Sequence, residues 1–451
     1  MKLTPRIAAA LILAWSGIAQ AQTPQSPPPA EQGKPTEPPK PTPPPVKFEF
    51  HGFVSGSVYA QDANLGVSEG QHTLFVNAPT AALRPPNTDR IVTGGDVRQS
   101  RFNFSLAGPQ VFGGATPKAV LELDWFGGFG SGSFGSVSLV PRLRLAYAEL
   151  NWGKTRIQFG QNLDLSFAMA PASLSHIAQP IGYGTGNIGW RRPGIFGFHT
   201  FGEKSGMNGE LAWEVGRSQW QDLGGIGNNT CTPNAPAANS GDPYGFCLGN
   251  ASGLPAVQVR FTLANSTMFS AFTTVHWNRV DRSGVNQNET VSRTGINSTL
   301  DVFAWNAGAK AVVGPLTVAA TGFTGKNLGP LVGSIVGQFT PITAGDVHEV
   351  GVWGQLGYNF TKELSLWGFI GVDKPDRKDA LAAAFTRLQN VTSSGMLQYR
   401  DGGYAIGLEY FHFYTTTRQP AVAASGTTPA SPQIIEGLSG NQVVLSGNYF
   451  F

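Results

Sequence analysis

The sequence has 451 residues, with 31 lysines and arginines against 28 acidic residues, and only 13% of its residues are charged. A formal net charge of +3 is too small to indicate a nucleic acid or a strongly acidic partner. The mean hydropathy of -0.09 excludes a helical membrane protein. After residue 46 the composition shows no second block, and no apolar run approaches the ~18 residues that a spanning helix needs.

The first residues have the layout of a secretory signal peptide. Lys2 and Arg6 form a basic start, residues 7–15 form an apolar core, and an A-x-A cleavage motif occupies residues 19–21. A membrane anchor would need a longer apolar core. The sequence therefore predicts that residues 1–21 are removed and that the protein is exported.

Residues 22–46 are a proline-rich tract with scattered glutamates and lysines. This composition cannot build a packed core and favours polyproline II, so we expect a disordered periplasmic linker. Docking to a proline-binding partner or to the cell wall is the alternative. The third segment, residues 47–451, is predicted to be an outer-membrane β-barrel for the following reasons.

From Phe48 onward, strand-like runs alternate with turn-rich gaps. The predicted strands are 48–60, 99–108, 117–126, 142–152, 155–162, 190–201, 208–219, 255–264, 267–279, 300–313, 315–325, 347–359, 364–373, 391–400, 403–414 and 442–451. The gaps between them alternate between long and short, as external loops and periplasmic turns do in an up-and-down barrel. The fold class is therefore all-β, a transmembrane antiparallel barrel of about sixteen strands with both termini in the periplasm.

Alternation within the strands agrees with this fold. Leu121 and Leu123 share one face of the third strand, and Glu122 and Asp124 share the other. A soluble sandwich would alternate in the same way. Three features favour the membrane barrel over the sandwich. The strands are about ten residues long, the loop lengths alternate, and aromatic residues such as Trp152 lie at strand ends.

Successive residues of a strand point alternately to the lumen and to the lipid, which we call inward and outward parity. Charged residues with inward parity are the candidates for lining the pore. They are Arg101, Glu122, Asp124, Arg142, Arg144, Arg156, Arg191, Arg260 and Lys310, and Glu210, Glu214, Glu349 and Glu409 have the same parity. The basic members concentrate on the second, fourth, fifth and sixth strands, which would form one contiguous wall. Guanidinium groups bind carboxylates and phosphates, so this wall would favour anions.

The same charges also have a purely structural explanation. Glu122 and Asp124 are predicted to lie opposite Arg144 and Arg142, where cross-strand pairs contribute roughly 0.2–1 kcal/mol each. Arg101 and Arg156 have no obvious acidic neighbour in the sequence. We therefore expect these last two arginines to be the free selectivity charges.

The third long connection, residues 163–189, is more apolar than an external loop should be. It is predicted to fold into the barrel as a constriction loop, with Asp164, His176 and Gln179 as candidate contacts. Packing of this loop against a neighbouring subunit is the alternative.

Another long connection, residues 220–254, contains Cys231 and Cys247. Export to an oxidising compartment favours a disulfide between them, which would stabilise the loop by roughly 3 kcal/mol in the chain-entropy model. A zinc pair is the alternative, but no histidine or further cysteine stands near.

This loop also suggests an alternative function for the whole protein. It would be an adhesin-type barrel with a closed lumen whose long external loops bind a partner.

Four segments resemble the DcaP-like family of trimeric outer-membrane porins. They are VRQSRFNF at 97–104, LELDWFGG at 121–128, RLRLAYAE at 142–149 and IQFGQ at 157–161. The resemblance implies sixteen strands, a homotrimer and a basic pore eyelet for small anionic solutes such as dicarboxylates. The family has a helical periplasmic segment at its N-terminus, and the proline-rich tract departs from that pattern.

The combined prediction is a porin of the bacterial outer membrane. It would pass small hydrophilic solutes, anionic or neutral, with a mild preference for anions, and it would use no cofactor. The seven histidines are scattered and there is no Gly-x-Ser-x-Gly motif, so no enzyme is predicted. The last strand ends on Phe451, which we expect to address the chain to the barrel-assembly machinery.

Overall fold

The computed structural model describes residues 46–66, 70–77, 91–127, 129–131, 137–202, 206–218, 252–265, 268–281, 299–340, 344–419 and 433–451. The predicted signal peptide, the proline-rich linker up to residue 45, and both Cys231 and Cys247 lie outside these residues. The cleavage, linker and disulfide predictions therefore stay predictions.

Most of the described chain is strand. The strands are β1 (Lys47–Gln61), β2 (Leu65–Gly66), β3 (Phe75–Val76), β4 (Val92–Asp96), β5 (Arg101–Ala107), β6 (Thr116–Asp124), β7 (Phe129–Ser131), β8 (Val137–Leu139), β9 (Arg142–Asn151), β10 (Thr155–Leu163), β11 (Arg191–Gly202), β12 (Met207–Gly216), β13 (Ala256–Asn265), β14 (Phe269–Asp281), β15 (Thr299–Val313), β16 (Leu316–Lys326), β17 (His348–Asn359), β18 (Leu364–Pro375), β19 (Arg387–Asp401), β20 (Tyr404–Gln419) and β21 (Ile434–Phe450). β4 and β5 both pair with β1 and form one barrel strand interrupted at residues 97–100. The pairs β2–β3 and β7–β8 are separate hairpins.

Within the described residues, the remaining strands make a closed antiparallel barrel of sixteen. Each strand pairs with its sequence neighbours, and β1 pairs with β21 to close the ring, with Val54 opposite Tyr449. Gly52 and Phe451 extend this pairing by two backbone hydrogen bonds of 3.1 Å. The prediction of a sixteen-stranded up-and-down barrel is confirmed, and β21 starts eight residues earlier than predicted.

The two faces of the wall have opposite polarity. Val54, Val58 and Leu445 point outward with about half of each side chain exposed, whereas Ser55 and Ser446 point inward and are buried. Outward apolar and inward polar side chains are the arrangement of a barrel that spans a membrane. None of the described helices is long and apolar enough to cross a membrane.

A cluster of aromatic rings covers the outer face near the chain ends. Phe50 lies 5.0 Å from Phe104 and 5.1 Å from Phe451, measured between ring centroids, and Phe48 lies 6.4 Å from Phe104. These positions are at the periplasmic ends of β1 and β5. Aromatic side chains at this height match the interfacial girdle of membrane barrels.

A β-bulge in β9 changes which side chains face the lumen. Glu122 pairs with Leu145 and Leu123 pairs with Leu143, so Arg144 has no partner in the register. The extra residue shifts the parity beyond it, and Tyr147 lies on the inward face with the buried Glu149. A strict two-residue alternation along 142–152 places Tyr147 on the outer face, and the bulge is the reason that it faces inward instead.

Short helical elements occur only in the connections of the described chain. A 3-10 turn at Gly329–Leu331 leads into a left-handed turn at Gly333–Gly337. Helix α1 (Arg377–Ala382) is capped by the Asp376 carboxylate, which accepts from the backbone N–H groups of Lys378 and Asp379. These elements sit at the external ends of β16 to β19.

Candidate pore constriction

Residues 164–190, called the inner loop below, lie inside the barrel. The loop backbone at Ser166 donates to Gln258 of β13 at 2.8 Å and accepts from Asn306 of β15 at 2.8 Å. Further along, the backbone N–H of Ala172 donates to Gln355 of β17 at 2.7 Å. All three wall residues have inward parity and are buried. The loop therefore runs along the lumenal wall and not against the outer surface.

One carboxylate anchors the tip of the inner loop to β20, and Gln99 and Asn448 bond to the same tip. Glu409 of β20 accepts from the backbone N–H groups of Leu174 at 2.9 Å and Ser175 at 2.7 Å, and from the Ser173 hydroxyl at 2.7 Å. Glu409 is only 1% exposed. A carboxylate accepting several hydrogen bonds is a strong anchor, because each charge-assisted bond is about twice as strong as a neutral one.

The base of the inner loop is closed by a second acidic residue. Asp164 accepts from the backbone N–H groups of Ser166 at 3.1 Å and Trp190 at 3.0 Å. Arg192 lies between two carboxylates, 3.7 Å from Asp164 and 3.3 Å from Glu214. This charge cluster ties the two ends of the loop to β11 and β12.

The three predicted constriction residues are all buried, with Asp164 and His176 1% exposed and Gln179 6% exposed. His176 Nε2 is 3.0 Å from the Thr73 carbonyl oxygen, and its ring lies 4.7 Å from that of Phe411. Burial lowers the pKa of His176 to about 4, so its imidazole is neutral at neutral pH. Asp164 and His176 hold the loop in place. A direct role in narrowing the pore stays a prediction for all three.

The first external connection also enters the lumen, which the sequence analysis missed. Leu74 and Phe75 pack with Tyr183 of the inner loop and with Ile335 of the left-handed turn in one buried apolar cluster. Val76 donates its backbone N–H to Thr415 of β20 at 2.8 Å. The run Leu74-Phe75-Val76 within a loop was the available signal, because consecutive apolar residues seek burial.

The predicted cross-strand ion pairs between β6 and β9 are present. Arg142 donates to both oxygens of Asp124, at 2.9 Å from Nε and 2.6 Å from Nη2. Arg144 donates to Glu122 at 2.7 Å and to Asp124 at 2.8 Å. The structural explanation therefore holds for Arg142 and Arg144, and their charges are largely neutralised.

Arg101 and Arg156 are not free charges, contrary to expectation. Arg101 lies 3.6 Å from Glu122, and Arg156 lies 3.0 Å from Glu210 and 3.8 Å from Glu149. Glu149 is on the neighbouring strand β9, whereas Glu122 and Glu210 are distant in the sequence from the arginines they contact. Each is brought near by strand pairing, which is why the local sequence pattern concealed it.

The remaining predicted lumenal cations have different surroundings. Arg260 lies 3.4 Å from Glu210. The Arg191 guanidinium lies 4.2 Å from the Trp190 ring, and among the described residues its Nη1 has no hydrogen-bond partner. Lys310 is exposed at the periplasmic end of β15.

These cations form a wall with a small positive excess. We call it the arginine wall, and it comprises Arg101, Arg142, Arg144, Arg156, Arg191, Arg192 and Arg260. Six carboxylates pair with it, namely Glu122, Asp124, Glu149, Asp164, Glu210 and Glu214. Seven guanidinium groups against six carboxylates leave one formal positive charge in this described set. A pore lined by this wall would have only a mild preference for anions.

The whole barrel has the shape of known outer-membrane channels. The DcaP channel of Acinetobacter baumannii superposes with a TM-score of 0.60, covering 90% of this chain and 97% of that chain at 14% identity. The chain has the porin fold. An anion-selective porin from Comamonas acidovorans superposes with a TM-score of 0.51, covering 90% of this chain and 100% of that chain at 11% identity. No known family and no curated protein matches the sequence.

Proposed function

We propose that the protein is an outer-membrane porin, a water-filled channel through which small hydrophilic solutes diffuse with a mild preference for anions. The observation that carries this proposal is the inner loop, which is fixed inside a closed barrel and contacts the arginine wall through Arg101 and Arg192. A narrowing lined by charges is how channels select solutes. The excess of one positive charge in the arginine wall favours anions weakly. No cofactor and no catalytic step are part of the proposal.

Planar bilayer recording of the purified protein tests the channel. In a potassium chloride gradient we expect discrete conductance steps and a reversal potential displaced toward that of chloride. The Arg191→Gln/Arg260→Gln variant should move the reversal potential toward that of potassium, because two positive charges leave the lumen. Absence of steps, or a potassium preference in the unaltered protein, would contradict the proposal.

The assembled form is proposed to be a homotrimer in the lipid of the bacterial outer membrane. The aromatic cluster around Phe50, Phe104 and Phe451 supplies an exposed apolar surface near the chain ends.

Phe451 is bonded to Gly52 and packs on Phe50, so it both completes the closing strand and presents a terminal aromatic residue. We propose this residue as the contact for the barrel-assembly machinery.

Deletion of Phe451 should impair assembly more than conductance. The variant loses two backbone hydrogen bonds at the seam, yet the lumen-lining residues are unchanged. Folded barrel in the outer-membrane fraction is measured by heat-modifiable mobility, and the channels that do assemble are recorded in bilayers. Assembly equal to that of the full-length chain would refute the assigned role of Phe451.

A further inference from the structure

A polar recess of about 340 Å³ lies beneath the tip of the inner loop, on the periplasmic side of the lumen. Residues 172–174 and Ile177 of the loop form one side, and the periplasmic ends of β17, β18 and β19 together with Phe450 of β21 form the other. Its volume is within the roughly 300–1,000 Å³ of small-molecule sites. The recess lies at the end of the channel from which a solute would leave toward the periplasm.

Two cations of the recess differ from those of the arginine wall in their surroundings. In the described part of the chain, neither Lys362 nor Arg400 has a carboxylate partner. The Arg400 guanidinium lies over the Phe450 ring at 4.9 Å. Glu363 also lines the recess, and its carboxylate accepts from the Thr361 hydroxyl at 2.9 Å. Both cations therefore keep their hydrogen-bond donors available for an anion from solution.

The rest of the recess fits an organic skeleton better than a bare inorganic ion. The side-chain amides of Asn359 and Gln398 face the recess and have no hydrogen-bond partner among the described residues. Trp367 donates its indole N–H to Ser365 at 3.0 Å, and its ring packs beside Leu174 of the loop tip. Amides beside an aromatic ring bind hydroxyl groups and carbon chains together.

We propose that this recess is a binding subsite for a small organic carboxylate in transit, an inference that rests on the proposed channel function. The carboxylate lies between Lys362 and Arg400, the carbon skeleton packs against Trp367, and hydroxyl groups bond to Asn359 and Gln398. One side of the recess is the loop tip that Glu409 holds. A bound solute therefore touches the constriction itself and briefly obstructs the current.

Gluconate, a hydroxylated carboxylate, is the probe for this subsite. In bilayer recordings we expect brief closures whose frequency saturates with gluconate concentration and yields an apparent Kd. The Lys362→Gln/Arg400→Gln variant should weaken this Kd by about tenfold or more, because two charge-assisted contacts are lost. Sorbitol, which has the same carbon number and no charge, should cause no closures.

The matched control is Lys118→Gln/Lys154→Gln, which removes two cations from β6 and the β9–β10 turn, outside the recess. It should retain the gluconate Kd. A second variant, Asn359→Ala/Gln398→Ala, should weaken gluconate block and leave block by acetate unchanged. Heat-modifiable mobility verifies that each barrel is folded.

Three outcomes would overturn the subsite: unchanged gluconate block in Lys362→Gln/Arg400→Gln, equal loss in the control pair, or inorganic phosphate blocking as strongly as gluconate. The reversal potential in potassium chloride separates the two proposals. Loss of the subsite with chloride preference intact leaves the proposed porin function standing. A potassium preference in the unaltered protein contradicts that function independently of gluconate.

Discussion

Replacing Glu409 by alanine is expected to raise single-channel conductance by roughly half or more, because the tip of the inner loop would lose its anchor on β20. The Glu409 carboxylate accepts three hydrogen bonds from Ser173, Leu174 and Ser175. Each bond to a charged group contributes about 1.5–3 kcal/mol, and the variant leaves two backbone donors and a hydroxyl without their acceptor. The loop tip should then leave the wall of β20, and the open current should become noisier.

A graded series distinguishes release of the loop from damage to the barrel. Ser173→Ala removes one of the three bonds and should raise the conductance only slightly. Glu409→Gln keeps an acceptor oxygen without the charge and should lie between Ser173→Ala and Glu409→Ala. All three variants should retain heat-modifiable mobility. A Glu409→Ala channel with wild-type conductance and noise would mean that the remaining contacts hold the loop without the carboxylate.

The barrel could be predicted from sequence because its information is local. Alternation along each strand, such as Leu121 and Leu123 against Glu122 and Asp124, follows directly from the two-residue period of a strand. Loop lengths alternate because successive connections lie at opposite rims of the barrel, with short turns at the periplasmic rim and long loops at the external rim. The apolar character of residues 163–189 predicted the inner loop for a similar reason. An external loop gains nothing from Leu165 or Leu174 unless it is buried.

The pairing of charges depended on register, which is not local. Arg156 finds Glu210 because β11 lies between their strands and aligns them, and the two residues are 54 positions apart in the chain. The bulge at Arg144 is one extra residue that the alternation of the sequence does not predict. It reverses the parity of the residues after it, so Tyr147 faces inward. The recess was missed for the same reason. Lys362, Arg400 and Phe450 come from separate strands and turns, and only barrel closure brings them together.

Replacing Asp124 by alanine is expected to increase the anion preference by about threefold to fivefold. Asp124 neutralises Arg142 and Arg144 at distances of 2.6–2.9 Å. Its removal leaves both guanidinium groups in place with one negative charge fewer beside them. Two unit charges about 4 Å apart interact by about 1 kcal/mol even in bulk water, which corresponds to about fivefold in relative occupancy. The measurement is the chloride-to-potassium permeability ratio from reversal potentials at low salt.

The matched control is Asp401→Asn, which removes one negative charge from an exposed periplasmic turn. It should change the permeability ratio little, because a charge in bulk water is screened within about 10 Å at 0.1 M salt. The Asp124→Ala effect should likewise shrink in 1 M salt. An unchanged ratio in Asp124→Ala at low salt, with the barrel folded, would mean that permeating ions do not approach Arg142 and Arg144. The selectivity of the pore would then be determined elsewhere, and the arginine wall would be a structural feature of the lumen.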